Sequence, residues 1–569
     1  MGKLSGLSNW QFITYCTPLA TIFLACWVIL SFYGLKKQKS TSYWMILVIS
    51  AAGVTYLAYL PFYNLPYMYG DSFYHFSFVK SIVDGNFLND VCYDGYPTYY
   101  PPLYYLLSGF LMWLFKASWV TFFIYMPIFN ILLICFSAYF VARYIKDETS
   151  GVLFILIFFT ISSFGTSYLT RGTRISAGLH SAIVIPHEVL AVILLILGVF
   201  IFSREKKQDQ WWAGLIGGIV TLLSVNFAVY YALSLLVYAI IRAFKTRNCK
   251  LHIIRLIVTG FITFLVSSVY LVPYIWSIIN NGADDFHWKW TILSNFDPYL
   301  VTIGLGFMGL TFILGVLGII SLPKSNFKLV LIITLVILYV GRFHVYVTKP
   351  LFNMNYVPDH AYYALVFFLS FTGAIFLRDF PVKITFKKWT LERLKIGYIF
   401  LASTFFLPII IWNPVSNDSL YRSFNPIPEK IQNITSMINQ KTEKDDIILA
   451  SNEVSPWILL LTGRHLALSG SPWCSNPSAR YSLRHKDFSE AFTSGNIKVI
   501  KNNLNKWKVN IIVFVKKDNK WGFNASGPYY GRLRQYGFLT AEIDKNTFNN
   551  DFYFTKLYQD ADYVVLYNN

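Results

Sequence analysis

Apolar runs long enough to cross a bilayer recur from the N-terminus to Asn413, and no other feature constrains the fold as much. A hydrocarbon core of roughly 30 Å takes about 20 helical residues. About twelve such runs are readable, at 10–34, 42–62, 120–143, 151–167, 185–204, 211–226, 227–243, 252–276, 298–320, 326–342, 359–377 and 396–413. The stretch from Trp211 to Ile241 is twice a span, and the polar Ser224-Val225-Asn226 at its middle predicts a tight hairpin. Composition agrees. Of 569 residues, 55% are hydrophobic and only 14% charged, whereas a soluble chain carries roughly 25% charged residues. Soluble, disordered and collagen-like classes are excluded. The segment before the first run has no small-residue cleavage site, so that run is read as a retained span.

Net charge is +19, from 48 basic and 29 acidic residues. The basic residues sit in short loops: Lys36, Lys37 and Lys39; Arg143 and Lys146; Arg204, Lys206 and Lys207; Arg242, Lys245, Arg247 and Lys250; Lys324 and Lys328; and Arg378 to Lys395. That distribution orients a membrane protein and leaves no nucleic-acid surface. All these loops fall on one face, the cytoplasmic one, provided that 101–117, opened by Pro101-Pro102, is a helix lying within the first external loop. The other face then carries the loop 64–119 and everything after Pro414. Residues 1–413 form the membrane domain. Residues 414–569 read as an extracytoplasmic α/β domain, because strand-like runs at 446–450, 510–515 and 563–567 alternate with amphipathic segments at 427–440 and 488–507. The six cysteines have no zinc spacing. Cys92 and Cys474, both in polar external segments, are a candidate pair.

The first external loop is the densest in chemistry. Asp71 follows the second span directly, where a carboxylate is partly desolvated at the membrane face. If 71–83 is helical, Asp71, His75 and Phe78 share one face; Asp71 also suits a helix cap. Asp90 and Asp94 flank a turn beside Asn89 and Gly95, ahead of Tyr99, Tyr100, Pro101 and Pro102. Arg171 and Arg174, in Thr-Arg-Gly-Thr-Arg, could fork onto a phosphate or anchor at the interface. His287 and Trp288, within Asp284-Asp285-Phe-His-Trp-Lys-Trp290, combine groups that bind sugar hydroxyls with an indole for C–H faces. Weaker candidates are His344, Lys349, Asp359 and His360, and in the tail Arg464, His465 and Arg480.

A Gly-Asp opening the first external loop, a His shortly after, a further acid and a Tyr-Pro-Pro-Leu-Tyr-Tyr helix resemble the GT-C glycosyltransferases. The stretch Cys92-Tyr-Asp-Gly-Tyr-Pro-Thr-Tyr-Tyr-Pro-Pro is similar to a motif of the actinobacterial galactan arabinofuranosyltransferases. The wider resemblance covers the architecture; the narrower one rests on about 40 residues of one loop. Together they imply an integral-membrane enzyme of the plasma membrane. It would move a sugar, arabinofuranose in the narrower reading, from a polyprenyl-phosphate donor to a cell-envelope glycan acceptor. Asp71 would be catalytic, Arg171, Arg174 and His75 would face the donor phosphate, and Asp90, Asp94, Tyr99, Tyr100, His287 and Trp288 would face substrate. The resemblance also allows a divalent metal near Asp71 and Glu188, although the usual Asp-x-Asp or Asp-Asn-Glu pattern is absent. The alternative is a transporter or flippase of lipid-linked saccharide, which would favour midplane ionisable residues or paired repeats; neither is found.

Overall fold

The computed structural model describes residues 22, 25–34, 36–37, 40–59, 71–117, 119–161, 186–282, 311–343, 360–380, 429–451, 454–468, 476–517, 520–523, 539, 542–548 and 552–569. The first part of the chain is helical: α1 (Ala25–Gly34), α2 (Thr41–Tyr59), α3 (Asp71–Val83), α4 (Leu103–Leu114), α5 (Trp119–Ile145), α6 (Glu148–Leu156), α7 (Pro186–Ser203), α8 (Asp209–Leu223), α9 (Val225–Thr246), α10 (Cys249–Asn281), α11 (Thr311–Ser321), α12 (Asn326–Phe343) and α13 (His360–Asp379). Four described helices, in α5, α7, α9 and α10, are long and apolar enough to cross a bilayer. The first run before residue 22 and the last, 396–413, lie outside the described residues.

Local chemistry sets the breaks. A single extended residue, Ser224, ends α8 and opens α9, at the hairpin the polar tripeptide predicts. Asp147 caps α6 by accepting from Ser150 N at 2.8 Å, and Asn248 caps α10 through Leu251 N at 3.2 Å. Helix α4 has 12 residues, about 18 Å, too short to span. Its Tyr104, Tyr105, Ser108 and Gly109 are buried, whereas Phe110 and Trp113 are exposed.

Packing separates central from peripheral helices. In α7, 83% of the apolar window is buried; in α10 only 22% is, leaving Ile257, Phe261 and Leu265 as an apolar outer face suited to lipid. Helices α8 and α10 approach closely because Gly214 and Gly218 lack side chains: an added Cβ would stand 2.7 Å from Ile262 and 2.4 Å from Val266.

Ion pairs gather the basic loops at one end. Lys146 and Arg378 meet Asp379 and Asp147 at 3.1 and 2.6 Å. Glu205 receives Arg242 through both carboxylate oxygens, at 2.7 and 2.9 Å, and the Tyr238 hydroxyl at 2.9 Å. The opposite end holds α3, α4 and the tail.

The tail has helices α14 (Glu429–Lys441), α15 (Ser455–Thr462), α16 (Tyr481–Ser494) and α17 (Ile497–Lys506), with strands β1 (Ile447–Ala450), β2 (Val509–Lys517), β3 (Lys520–Gly522), β4 (Glu542–Asp544), β5 (Phe554–Gln559) and β6 (Tyr563–Asn568). The sheet runs β4-β3-β2-β6-β5, with β1 parallel on β2 in the register Ile448 to Ile511. Successive residues of β2 serve opposite cores, as the period of two requires. Ile511 and Val513 join Ile431, Ile434 and Ile458 in a cluster continuous with the membrane bundle; Ile512 and Phe514 join Phe488, Phe492 and Ile500. Each such fully buried side chain contributes about 1.5–3 kcal/mol. The segment expected as one amphipathic element over 488–507 is two helices. Gly495, at φ +63, turns the chain, and Asn496 caps α17 through Lys498 N at 3.0 Å. Strands β3, β4 and β5 were not expected from the pattern.

Candidate functional site

Helix α3 carries the expected face. Asp71 is its first residue, and its side chain lies outside the described residues. His75 follows one turn later. A hydrogen bond of 2.6 Å joins His75 Nδ1 and the Tyr105 hydroxyl, and the His75 ring lies 5.4 Å from Tyr100 and 5.3 Å from His187 between centroids. Phe78, a further turn on, packs on Tyr100 and Tyr105 at 5.2 and 5.3 Å. The face carrying His75 and Phe78 therefore meets an aromatic wall supplied by the Tyr-Pro-Pro-Leu-Tyr-Tyr segment and by the start of α7. His187 and Glu188 are buried there, 4% and 6% exposed. Among the described residues no three His, Cys, Asp or Glu groups converge to hold a metal ion.

The loop from 84 to 102 folds back on itself. Asn89 and Pro97 form an antiparallel bridge, and Asp90 N and Thr98 N donate to Tyr96 O and Leu88 O at 2.8 and 2.7 Å. Gly95 at φ +78 makes the reversal. Asp90 is buried at its base, 1% exposed. Its Oδ1 accepts from Cys92 N and Tyr93 N at 2.9 and 3.0 Å, and its Oδ2 accepts from Asn476 Nδ2 of the tail at 3.1 Å. Burial pushes the Asp90 carboxyl up to about 7, against the pull of those donors and of the Arg484 charge. Its partners are neutral amides, which compensate a buried charge only in part.

The tail is joined to this loop at several points. Asn476 Nδ2 also donates to Pro97 O at 2.7 Å, and its Oδ1 accepts from Ser478 Oγ at 2.7 Å. Ser478 Oγ in turn accepts from Ser277 Oγ of α10 at 2.8 Å. Leu466 N donates to Cys92 O at 2.7 Å. Arg484 lies over the Tyr93 ring at 4.9 Å and the Trp507 ring at 4.4 Å, donating to Ala479 O and Ala467 O at 2.8 and 3.0 Å. Helix α15 packs on α3. Asn476, Ser478 and Arg484 were not singled out from sequence; each is one polar residue in a polar tail, and Asn476 meets Asp90 across 386 positions.

The remaining candidates separate. The Tyr99 ring lies tilted against Tyr100 at 4.4 Å, and its carbonyl accepts from the Tyr270 hydroxyl of α10. Asp94 is exposed, 3.9 Å from His465 Nε2. Arg464 is turned inward: its guanidinium donates to Glu443 O, Asn439 Oδ1 and Thr442 O at 2.9, 2.6 and 2.7 Å. That clasp within the tail removes it from any glycan surface. Arg480 Nε donates to Asn281 O at 2.8 Å. Cys92 is buried, and burial together with Asp90 pushes its thiol well up. Arg171, Arg174, His287, Trp288, His344, Lys349, Asp359, Cys474 and the His360 side chain lie outside the described residues.

No protein-family model matches the chain, and no curated protein matches it in sequence. Its fold is similar to that of ArnT from Cupriavidus metallidurans in the apo state, with 11% identity and a TM-score of 0.55 over 93% of this chain and 98% of that one. ArnT bound to undecaprenyl phosphate gives 10% and 0.53 over the same shares. The oligosaccharyltransferase AglB from Archaeoglobus fulgidus, in complex with an inhibitory peptide and a dolichol-phosphate, gives 12% and 0.50 over 83% of this chain and 69% of that one. At such identities the likeness is one of fold. The chain has a GT-C fold, a helical multi-pass membrane domain followed by a C-terminal α/β domain.

Proposed function

We propose that this chain is a membrane glycosyltransferase that takes a sugar from a polyprenyl-phosphate donor and transfers it to a glycan acceptor on the extracytoplasmic face of the plasma membrane. One observation carries the reading. The helix opened by Asp71 lays its His75 and Phe78 face against the Tyr100–Tyr105 wall under a docked tail, within a fold similar over nearly its whole length to ArnT, whose structure holds undecaprenyl phosphate. The loop motif points to arabinofuranose and a cell-envelope glycan as the donor sugar and acceptor.

The chemistry asks little of the protein beyond placement. The acceptor hydroxyl attacks the anomeric carbon, its proton passes to the Asp71 carboxylate, and the C–O bond to phosphate breaks with inversion. A base within roughly 3 Å of that hydroxyl and donors for the departing phosphate suffice. Arg171 and Arg174 would receive the phosphate with His75, which the Tyr105 hydroxyl orients.

The test is release of polyprenyl phosphate from radiolabelled polyprenyl-phosphoryl sugars by purified protein. Asp71→Asn should lower turnover by about 10² to 10⁴ while leaving expression and donor binding intact. Asn caps a helix as well as Asp does, so retained turnover reduces Asp71 to a cap and removes the proposed base.

A further inference from the structure

A cleft of about 680 Å³ opens where the folded-back loop, the end of α10 and the tail meet. It lies away from Asp71. Ser81, on its wall, is ten residues along α3, about 15 Å of helix. The volume falls in the usual range for ligand sites, about 300–1,000 Å³.

Its lining is unusual in kind. Asn86 and Asn89 come from the loop, Asn280 and Asn281 from α10, and Asp94 and Asp445 from loop and tail. Among the described residues no Lys or Arg lines it. Arg480, beside them, spends its Nε on the Asn281 carbonyl. Trp276, two-thirds exposed, and Tyr96 add flat apolar faces. His465 stands by Asp94 at 3.9 Å; burial lowers its imidazole, so near neutral pH it offers one donor and one acceptor. Amides and carboxylates that bind hydroxyls, set beside an indole that covers C–H faces, suit a polyol. Two exposed carboxylates, with no Lys or Arg among the described lining residues, oppose a phosphate or a uronate.

We infer that this cleft binds an uncharged glycan, holding sugar units of the acceptor at a distance from the reacting hydroxyl. The role of that glycan as acceptor rests on the transferase reading; the cleft's preference for neutral sugar does not. Binding energy gained here would anchor the chain whose end reaches Asp71.

The test uses full-length protein in a detergent without a sugar headgroup, with saturation-transfer NMR as readout. The probes are short neutral gluco-, manno- and galacto-oligosaccharides, with oligogalacturonate as the anionic comparator. At least one neutral probe should bind, and oligogalacturonate should compete at least about tenfold less well. Trp276→Ala should weaken binding about tenfold, as loss of one stacking face does. Because Trp276 is exposed, the fold should survive; the isosteric pair Asp94→Asn with Asp445→Asn gives a second reading, expected to let oligogalacturonate compete better. Asp71→Asn should bind the probes as wild type does. Failure of every neutral probe, binding indifferent to both sets of substitutions, or equal competition by oligogalacturonate would each overturn the inference. Binding to the cleft in a protein that never turns over a lipid-linked donor would instead remove the transferase reading and leave the cleft.

Discussion

Glu205 and Asp90 sit at opposite ends of the helical bundle, each partly or wholly withdrawn from water, and their surroundings drive them in opposite directions. Burial works to raise the Glu205 carboxyl, but hydrogen bonds from Arg242 and Tyr238 and the charges of Arg242 and Arg255 hold it below the usual carboxylate range. It accepts a left-handed backbone, φ 61, to reach them, a conformation costing about 1 kcal/mol for a non-glycine residue. Asp90 has amides where Glu205 has guanidiniums, so burial wins and its carboxyl rises to about 7. One end is an ionic clasp between helix ends. The other is a neutral hydrogen-bonded junction that seats a separate domain on a loop.

The largest effect should come from the junction. Asn476→Ala removes the donor to Asp90 Oδ2 and to Pro97 O and the acceptor of Ser478 Oγ. Leaving those buried groups unpaired should cost about 3 kcal/mol. The thermal midpoint in detergent should fall, and donor turnover with it, because the loop behind α3 loses its anchor.

Glu205→Gln attacks the clasp. Arg255, 3% exposed, then keeps only the weaker attraction of the Asp209 carboxylate, a loss of about 2 kcal/mol given that Glu205 retains some solvent. Stability should fall while the KM for donor stays unchanged. A changed KM would mean that the two ends are coupled.

Proton linkage separates the ends more finely. The folded pKa of Asp90 lies above its unfolded value of 3.8, so its contribution is complete below pH 3.8 and is lost as pH rises through 7. Between pH 6 and 8 the loss is about 1.4 kcal/mol. Glu205, with its folded pKa depressed, contributes above its unfolded value of 4.5 and loses that contribution as pH falls. Asp90→Asn should therefore carry a constant offset in stability and lose the decline between pH 6 and 8. Persistence of the decline in that variant would assign the titration to another group.

Much of the helical half is legible because lipid imposes length and loops impose charge. Runs read at 185–204 and 326–342 match α7 and α12 within a residue, and the helix expected over 71–83 is α3. The hairpin at Ser224 follows from the polar Ser224-Val225-Asn226 in an apolar run. The tail is less legible. Its strands β1, β2 and β6 show as apolar runs, but β5, an end strand with Thr555, Lys556 and Gln559 exposed, does not. Asp90 reads as a turn acid, and it does bond its own turn at Cys92 and Tyr93. What no local pattern signals is its second oxygen, which waits for an asparagine from another domain. His75 meeting His187 has the same origin, since helix packing alone joins them.

The central claim is that these two ends face opposite sides of the membrane, with the junction outside and the clasp inside. Cysteine labelling with an impermeant maleimide tests it in intact cells. Cys249, exposed at the basic end, serves as the inner probe when the other cysteines are replaced, and Glu490→Cys, on an exposed position of the tail, serves as the outer probe in a cysteine-free background. The account predicts that the tail probe labels in intact cells and Cys249 only after permeabilisation. Labelling of Cys249 in intact cells, with the tail probe protected until lysis, would invert the molecule and place α3, its aromatic wall and the cleft on the wrong side for the proposed transfer.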